Sequence, residues 1–190
     1  IRDDLVTGVQ TCALPISMYH TAKGGFMIIL TILSSLAVSS SFPLSEMHIR
    51  NNSISNTFGM VRNSGRKAHQ GWDLSAKIGD PVFSIAPFET SMSGYHADYG
   101  YWVMYRSTKS GYYYFNAHLS RIPPLPKRGK IGDIIGYVGT SGNARNSDPH
   151  LHFEMRTKAY PGLGLSGRLS PANTFGSWTL YLTQPRSKTK

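Results

Sequence analysis

The stretch SDPHLHFEMR, residues 147–156, sets two histidines one residue apart, with a glutamate two residues further on. In a β-strand, residues i, i+2 and i+4 point to one face. His150, His152 and Glu154 would then share a side, and Leu151 and Phe153 would be buried on the other. Two imidazoles and a carboxylate on one face can be a metal site, an acid–base site or a coincidence of composition. Glu154 would either support such a site through a hydrogen bond or form a surface ion pair.

A second constellation sharpens the choice. AHQGWDL places His69 and Asp73 four apart around Gly71. Glycine and the following Trp-Asp-Leu argue for extended chain, where i and i+4 again share a face. Zinc takes nitrogen and oxygen ligands of this kind, and a catalytic zinc keeps three protein ligands and one open position. His69, Asp73 and one histidine of the 150/152 pair would complete that set. The chain has no His-Glu-x-x-His, so a helix-borne zinc site with an adjacent glutamate base is excluded. The acid–base work would fall to His118, in NAHLS, and to whichever of His150 and His152 is not a ligand. An imidazole titrates near neutrality, where such a group works best. His20, His48 and His96 lie in polar or loop-like surroundings and read as solvated.

The elements that must position these residues are strands. DPVFSIAP, YGYWVMYRS, GYYYFNAHLS, DIIGYVGTSG and HLHFEMR have strand length and turn-like borders. STKSG, between two aromatic runs, reads as a hairpin turn. Helix signals are scarce, and there is no internal repeat. The pattern predicts a mostly β fold, an antiparallel sheet with a buried face. We place this domain at 56–175, with a polar lead-in at 40–55 and a basic tail at 176–190. Tyr112, Tyr113 and Tyr114 would line a groove or pack in the core, at least one of them in the core.

The N-terminal region has a different character. Residues 6–17, VTGVQTCALPIS, resemble the translation of a common sequencing adapter, and we set 1–17 aside as an artefact. Cys12, the one cysteine, lies within it, which leaves no disulfide framework and no thiolate ligand elsewhere. From Met18, a lysine-bearing stretch, an apolar run at 26–38 and small residues near Ser39 follow the order of a secretory signal, 18–39. The apolar run is short for a membrane span, so the membrane would be involved only through an uncleaved signal. The 20 Lys and Arg outnumber the 10 Asp and Glu, for a net charge of +10. An exported cationic surface would meet anionic lipid or anionic wall polymers, not nucleic acid.

FGMVR, HQGWDL, GDPV, AHLS, IGYVGTSGN and PHLHFE, in that order, resemble the lysostaphin-type zinc metallopeptidases, over residues 58–154. The resemblance implies an antiparallel sheet under a substrate groove. It further implies one zinc per chain held by His69, Asp73 and His152, with His118 and His150 acting on the substrate. The implied function is an exported endopeptidase cutting peptide bonds in bacterial peptidoglycan, found in periplasm, wall or medium. The alternative is a non-catalytic wall-binding or regulatory module of the same fold, against which all five filled positions argue. Phe88 and Glu89, Tyr101, and the loop NARNSD depart from the family's usual pattern. They bear on which bond is cut, not on the chemistry.

Overall fold

Short runs of β-branched and aromatic residues become eleven strands among residues 42–183, the part of the chain that the computed structural model describes. The adapter-like stretch, Cys12, the signal expected at 18–39 and the last residues of the basic tail lie outside the described residues. In chain order the strands are β1 (Gly59–Arg62), β2 (Lys67–His69), β3 (Trp72–Ser75), β4 (Pro81–Phe83), β5 (Phe88–His96) and β6 (Gly100–Ser107). They continue with β7 (Tyr113–Arg121), β8 (Arg128–Gly129), β9 (Ile134–Val138), β10 (His150–Arg156) and β11 (Arg168–Leu169). The one α-helix among these residues, Ala172–Phe175, is a single turn.

β1 and β2 form a separate antiparallel pair, and the other nine strands form one antiparallel sheet. The expectation of a mostly β, antiparallel domain holds. STKSG makes the turn between β6 and β7, with Gly111 N–H bonded to Ser107 O.

β10 is the strand that organises the site. Over His150–Phe153 it pairs with β3, so that His152 stands directly opposite Asp73. Over His152–Arg156 its other edge pairs with β7. Flanked on both edges, it is buried along its whole length. Leu151, Phe153 and Met155 enter the main core with Trp72, Leu74, Val103 and Tyr114. A smaller cluster of Met104, Phe115 and Ala117, with Tyr99 and Trp102 against it, forms a second core. Tyr114 is the core tyrosine of its triplet, Tyr113 is half-buried and Tyr112 exposed.

The packed unit is larger than 56–175. Residues read as a polar lead-in carry Leu44, Met47 and Ile49 into the main core. Ile49 is 0% exposed and bridges to Leu74, while Ser75 N–H is bonded to His48 O. Residues read as tail also fold back. Trp178, Tyr181 and Leu182 pack on the same core. Ile49 N–H donates to Tyr181 O at 2.8 Å, and the Asn52 side chain exchanges two hydrogen bonds with the Thr183 backbone. Polar neighbours hid the apolar positions in the lead-in, and basic residues hid the aromatics in the tail.

Candidate metal and acid–base site

Between β2 and β3 the chain spends only Gln70 and Gly71, so His69 and Asp73 return to one face. Gly71 is required by contact. A Cβ there would collide with the carbonyl of Phe153 on β10, and that close approach brings β3 against β10. Asp73 is 2% exposed and His69 3%.

Three ligand atoms converge. His69 Nε2 lies 3.2 Å from Asp73 Oδ1 and 3.2 Å from His152 Nδ1, and His152 Nδ1 lies 2.8 Å from Asp73 Oδ1. Metal–ligand bonds of about 2.1 Å at tetrahedral angles place ligand atoms roughly 3.4 Å apart. The spacing fits a small tetrahedral ion, and the three residues form the potential metal cluster among the described residues. His69 Nδ1 lies 2.8 Å from Thr57 O. A carbonyl offers no proton, so Nδ1 carries the hydrogen and Nε2 keeps its lone pair for the cluster.

His118 and His150 stand beside the cluster. Their rings are 4.9 Å apart, centre to centre, and His150 Nε2 lies 4.0 Å from Asp73 Oδ1. The same carbonyl argument fixes both tautomers. His118 donates from Nδ1 to Ser141 O at 3.0 Å, and His150 donates from Nδ1 to Asp148 O at 2.8 Å. Each ring therefore presents an unprotonated Nε2. His118 reaches its place through a bulge. Pairing with β6 slips between Tyr101↔Leu119 and Val103↔Asn116, which leaves one extra residue on β7. His118 sits there with φ of 62°, a backbone conformation that costs an ordinary residue of order 1 kcal/mol or more. Its N–H donates to Tyr99 O.

Buried carboxylates and arginines complete the surroundings. Asp73 Oδ2 accepts from Arg62 Nη2 at 2.6 Å. Glu154, 0% exposed, bonds His152 Nε2 at 3.0 Å through Oε1. Its Oε2 accepts from Arg156 Nε and Arg168 Nε, each at 2.8 Å. Arg156 also lies 3.7 Å from the centre of the Phe115 ring.

Charge follows from this geometry. Burial lowers the pKa of His69, His118 and His150, that of His118 to about 4. Burial pulls on His152 in the same direction. There, hydrogen bonds that the ring donates to Asp73 and Glu154 prevail and lift it to about 9. Burial raises both carboxyls, yet their hydrogen bonds to histidine win, and Asp73 and Glu154 end below the usual carboxylate range. Without metal, the site holds one imidazolium between two carboxylates, with neutral imidazoles around it.

The structure brings all five sequence-derived residues, His69, Asp73, His118, His150 and His152, to one cleft of about 780 Å³. His48 lies elsewhere, and His96 is exposed on the cleft's rim. Glu154 lies on the face that alternation predicted, in a buried network. Arg62, Arg156 and Arg168 join the site as partners of its carboxylates. Alternation beyond Glu154 signals Arg156, whereas Arg62 and Arg168 come from distant strands with no local signal.

The profile of peptidase family M23 matches residues 67–162. L-Ala–D-Glu endopeptidase of Bacillus subtilis is 36% identical over 108 residues, covering 52% of this chain and 33% of that protein. Peptidoglycan DD-endopeptidase ShyC of Vibrio cholerae is 34% identical over 90 residues, covering 47% of this chain and 20% of that protein. The chain thus spans a third or less of the length of these curated relatives. The catalytic domain of the antimicrobial peptidase lysostaphin from Staphylococcus simulans superposes with a TM-score of 0.52 at 23% identity, covering 64% of this chain and 88% of that one. A zinc-containing peptidase from Vibrio cholerae superposes with a TM-score of 0.53 at 25% identity, covering 69% and 38%. The lysostaphin likeness establishes the fold as the lysostaphin type.

Proposed function

The chain belongs to peptidase family M23, and from that premise we propose that it is an exported, zinc-dependent endopeptidase hydrolysing peptide bonds in bacterial peptidoglycan. The observation that carries this reading is the meeting of three ligand atoms and two neutral, tautomer-fixed imidazoles in one cleft. The names of the B. subtilis and V. cholerae relatives, both endopeptidases and one a peptidoglycan enzyme, support the substrate class. The zinc-containing V. cholerae peptidase supports the metal.

His69 Nε2, Asp73 Oδ1 and His152 Nδ1 would hold one zinc per chain. A zinc in such a site supplies Lewis acidity toward a carbonyl and acidifies water near neutral pH. Glu154 holds the far side of the His152 ring, and Arg62 holds the second oxygen of Asp73, so both ligands are oriented in advance. His118 and His150 are held outside the ligand set by Ser141 O and Asp148 O. One of them accepts a proton at Nε2. The other, taking a proton from solvent at Nε2 as negative charge develops on the substrate, donates from that nitrogen to the oxyanion. The cationic surface suits anionic wall polymers as a secondary partner, and the signal order at 18–39 supports export.

Purified peptidoglycans digested with zinc-loaded protein should release fragments with new amino termini, identified by mass spectrometry. A chelator should stop this and zinc should restore it. Zinc-loaded protein that cuts no wall would overturn the reading in favour of a non-catalytic wall-binding module. Export is tested by intact mass. The secreted protein should begin near Ser40, and a mature chain retaining TCALPI would defeat the signal assignment.

A further inference from the structure

Four basic side chains line the cleft: Arg50, Arg62, Lys67 and Arg168. Two are committed. Arg62 binds Asp73 and Ser55 O, and Arg168 binds Glu154 and the carbonyls of Gly162 and Gly164. Lys67 is exposed on β2. Arg50 differs from all three. It is half-buried, and its Nε is shut away from solvent with no hydrogen-bond partner among the described residues. A guanidinium donor removed from water and left unmatched is unfavourable. The two Nη atoms are not closed off, and a carboxylate entering from the cleft would pair with them.

The position of Arg50 is firmly built. Its neighbour Ile49 is fully buried, bridges to Leu74 and donates to Tyr181 O, and Asn56 Nδ2 donates to Arg50 O at 2.7 Å. The antiparallel bridge Ile49↔Leu74 ends beside β3, and Arg50 opens a short 3-10 turn directly after it. From that turn Arg50 lines the cleft that holds His150 and Asp73. The acids lining the cleft are Asp73 and Asp98, and Asp73 is already bound to Arg62. The cleft therefore has positive charge to spare beside the reacting groups. Arg50 lies ahead of residues 67–162, outside the stretch matched to the family.

We propose that Arg50 binds a carboxylate of the substrate peptide close to the scissile bond, making the cleft selective for acidic peptides over neutral ones. A planar guanidinium suits a carboxylate through paired, charge-assisted hydrogen bonds. This assignment deepens the peptidase reading and rests on it.

The test uses soluble peptidoglycan fragments in two forms, native and with their carboxylates converted to primary amides. Calorimetry measures binding of each form to metal-free protein, and kcat/KM is measured on zinc-loaded protein. The native form should be preferred by about ten- to a hundredfold in both. Arg50→Gln should erase that preference, with the loss falling on KM. Arg50→Lys keeps the charge without the planar fork and should keep part of the preference. Equal treatment of both forms by the wild type, or an unchanged preference in Arg50→Gln, overturns the assignment while leaving intact a protein that still cuts peptidoglycan. Wild type that binds zinc yet cuts no peptidoglycan overturns the peptidase reading and this assignment with it.

Discussion

His152 Nε2 lies 3.0 Å from Oε1 of Glu154, so the ring's far side is committed to a fully buried carboxylate before any metal arrives. The same carboxylate compensates Arg156 and Arg168. Glu154→Gln should weaken zinc binding by about ten- to a hundredfold, because the ligand loses its orienting partner. It should also lower the melting temperature, since removing one side of a buried ion pair costs about 3–5 kcal/mol. Competition titration with a zinc indicator, together with a thermal melt, measures both. Unchanged zinc affinity would show that Glu154 serves only the arginines.

The five clustered residues should divide by metal content. His69→Ala, Asp73→Ala and His152→Ala each remove a ligand and should lose both zinc and activity. His118→Ala and His150→Ala leave the ligands in place. They should keep zinc while turnover falls about a hundred- to ten-thousandfold. Metal analysis and wall digestion of each variant read the division. Loss of zinc from His118→Ala or His150→Ala would contradict it.

The metal-free protein should be most stable near neutral pH. His152 is raised from 6.5 to about 9, so its contribution is complete below pH 6.5 and lost as the pH climbs toward 9. That shift corresponds to about 3 kcal/mol. His118 is depressed from 6.5 to about 4, so its contribution is present above pH 6.5 and lost as the pH falls toward 4. Thermal melts across this range should show both declines, and His152→Gln should lose the alkaline one. Zinc needs the neutral form of His152, so loading near pH 7 should release about one proton. Calorimetry in buffers of different ionisation enthalpy counts it, and a count of zero would contradict the charged resting state.

The backbone at His118 offers a separate comparison. His118→Gly and His118→Ala both remove the ring, its bond to Ser141 O and its ring contacts. In an ordinary strand glycine is the less stable of the two. At φ of 62° the order should reverse, with the glycine variant more stable by about 1 kcal/mol. Denaturant titrations of the two variants decide it, and an alanine variant as stable as the glycine one would show that the bulge relaxes once the ring is gone.

Period-two alternation made much of this site legible. It put His150, His152 and Glu154 on one face and returned Asp73 to the side of His69, because both segments are extended. It could not distinguish His150 from His152, since the cross-strand register that sets His152 opposite Asp73 belongs to two strands read together. The bulge at His118 was hidden for the same reason: an extra residue is defined only against its partner strand. Arg62 and Arg168 reach the carboxylates from distant segments, and no local spacing announces that. The lead-in concealed Leu44, Met47 and Ile49 because its polar residues face outward and outnumber those that pack.

The hydrogen bonds that join Ile49 to Tyr181 and Asn52 to Thr183 bring together the first and last parts of the described fold, and the rings of Phe42 and Tyr181 lie 6.1 Å apart. With its two ends already neighbours, the order in which the strands are strung is separable from the way they pack. A circular permutant would join residue 183 to residue 42 through a short flexible linker and open the chain among Thr108, Lys109 and Ser110, exposed at the tip of the β6–β7 turn. Such a chain would retain every strand pairing around His152 while placing its new termini in a hairpin turn outside the cleft.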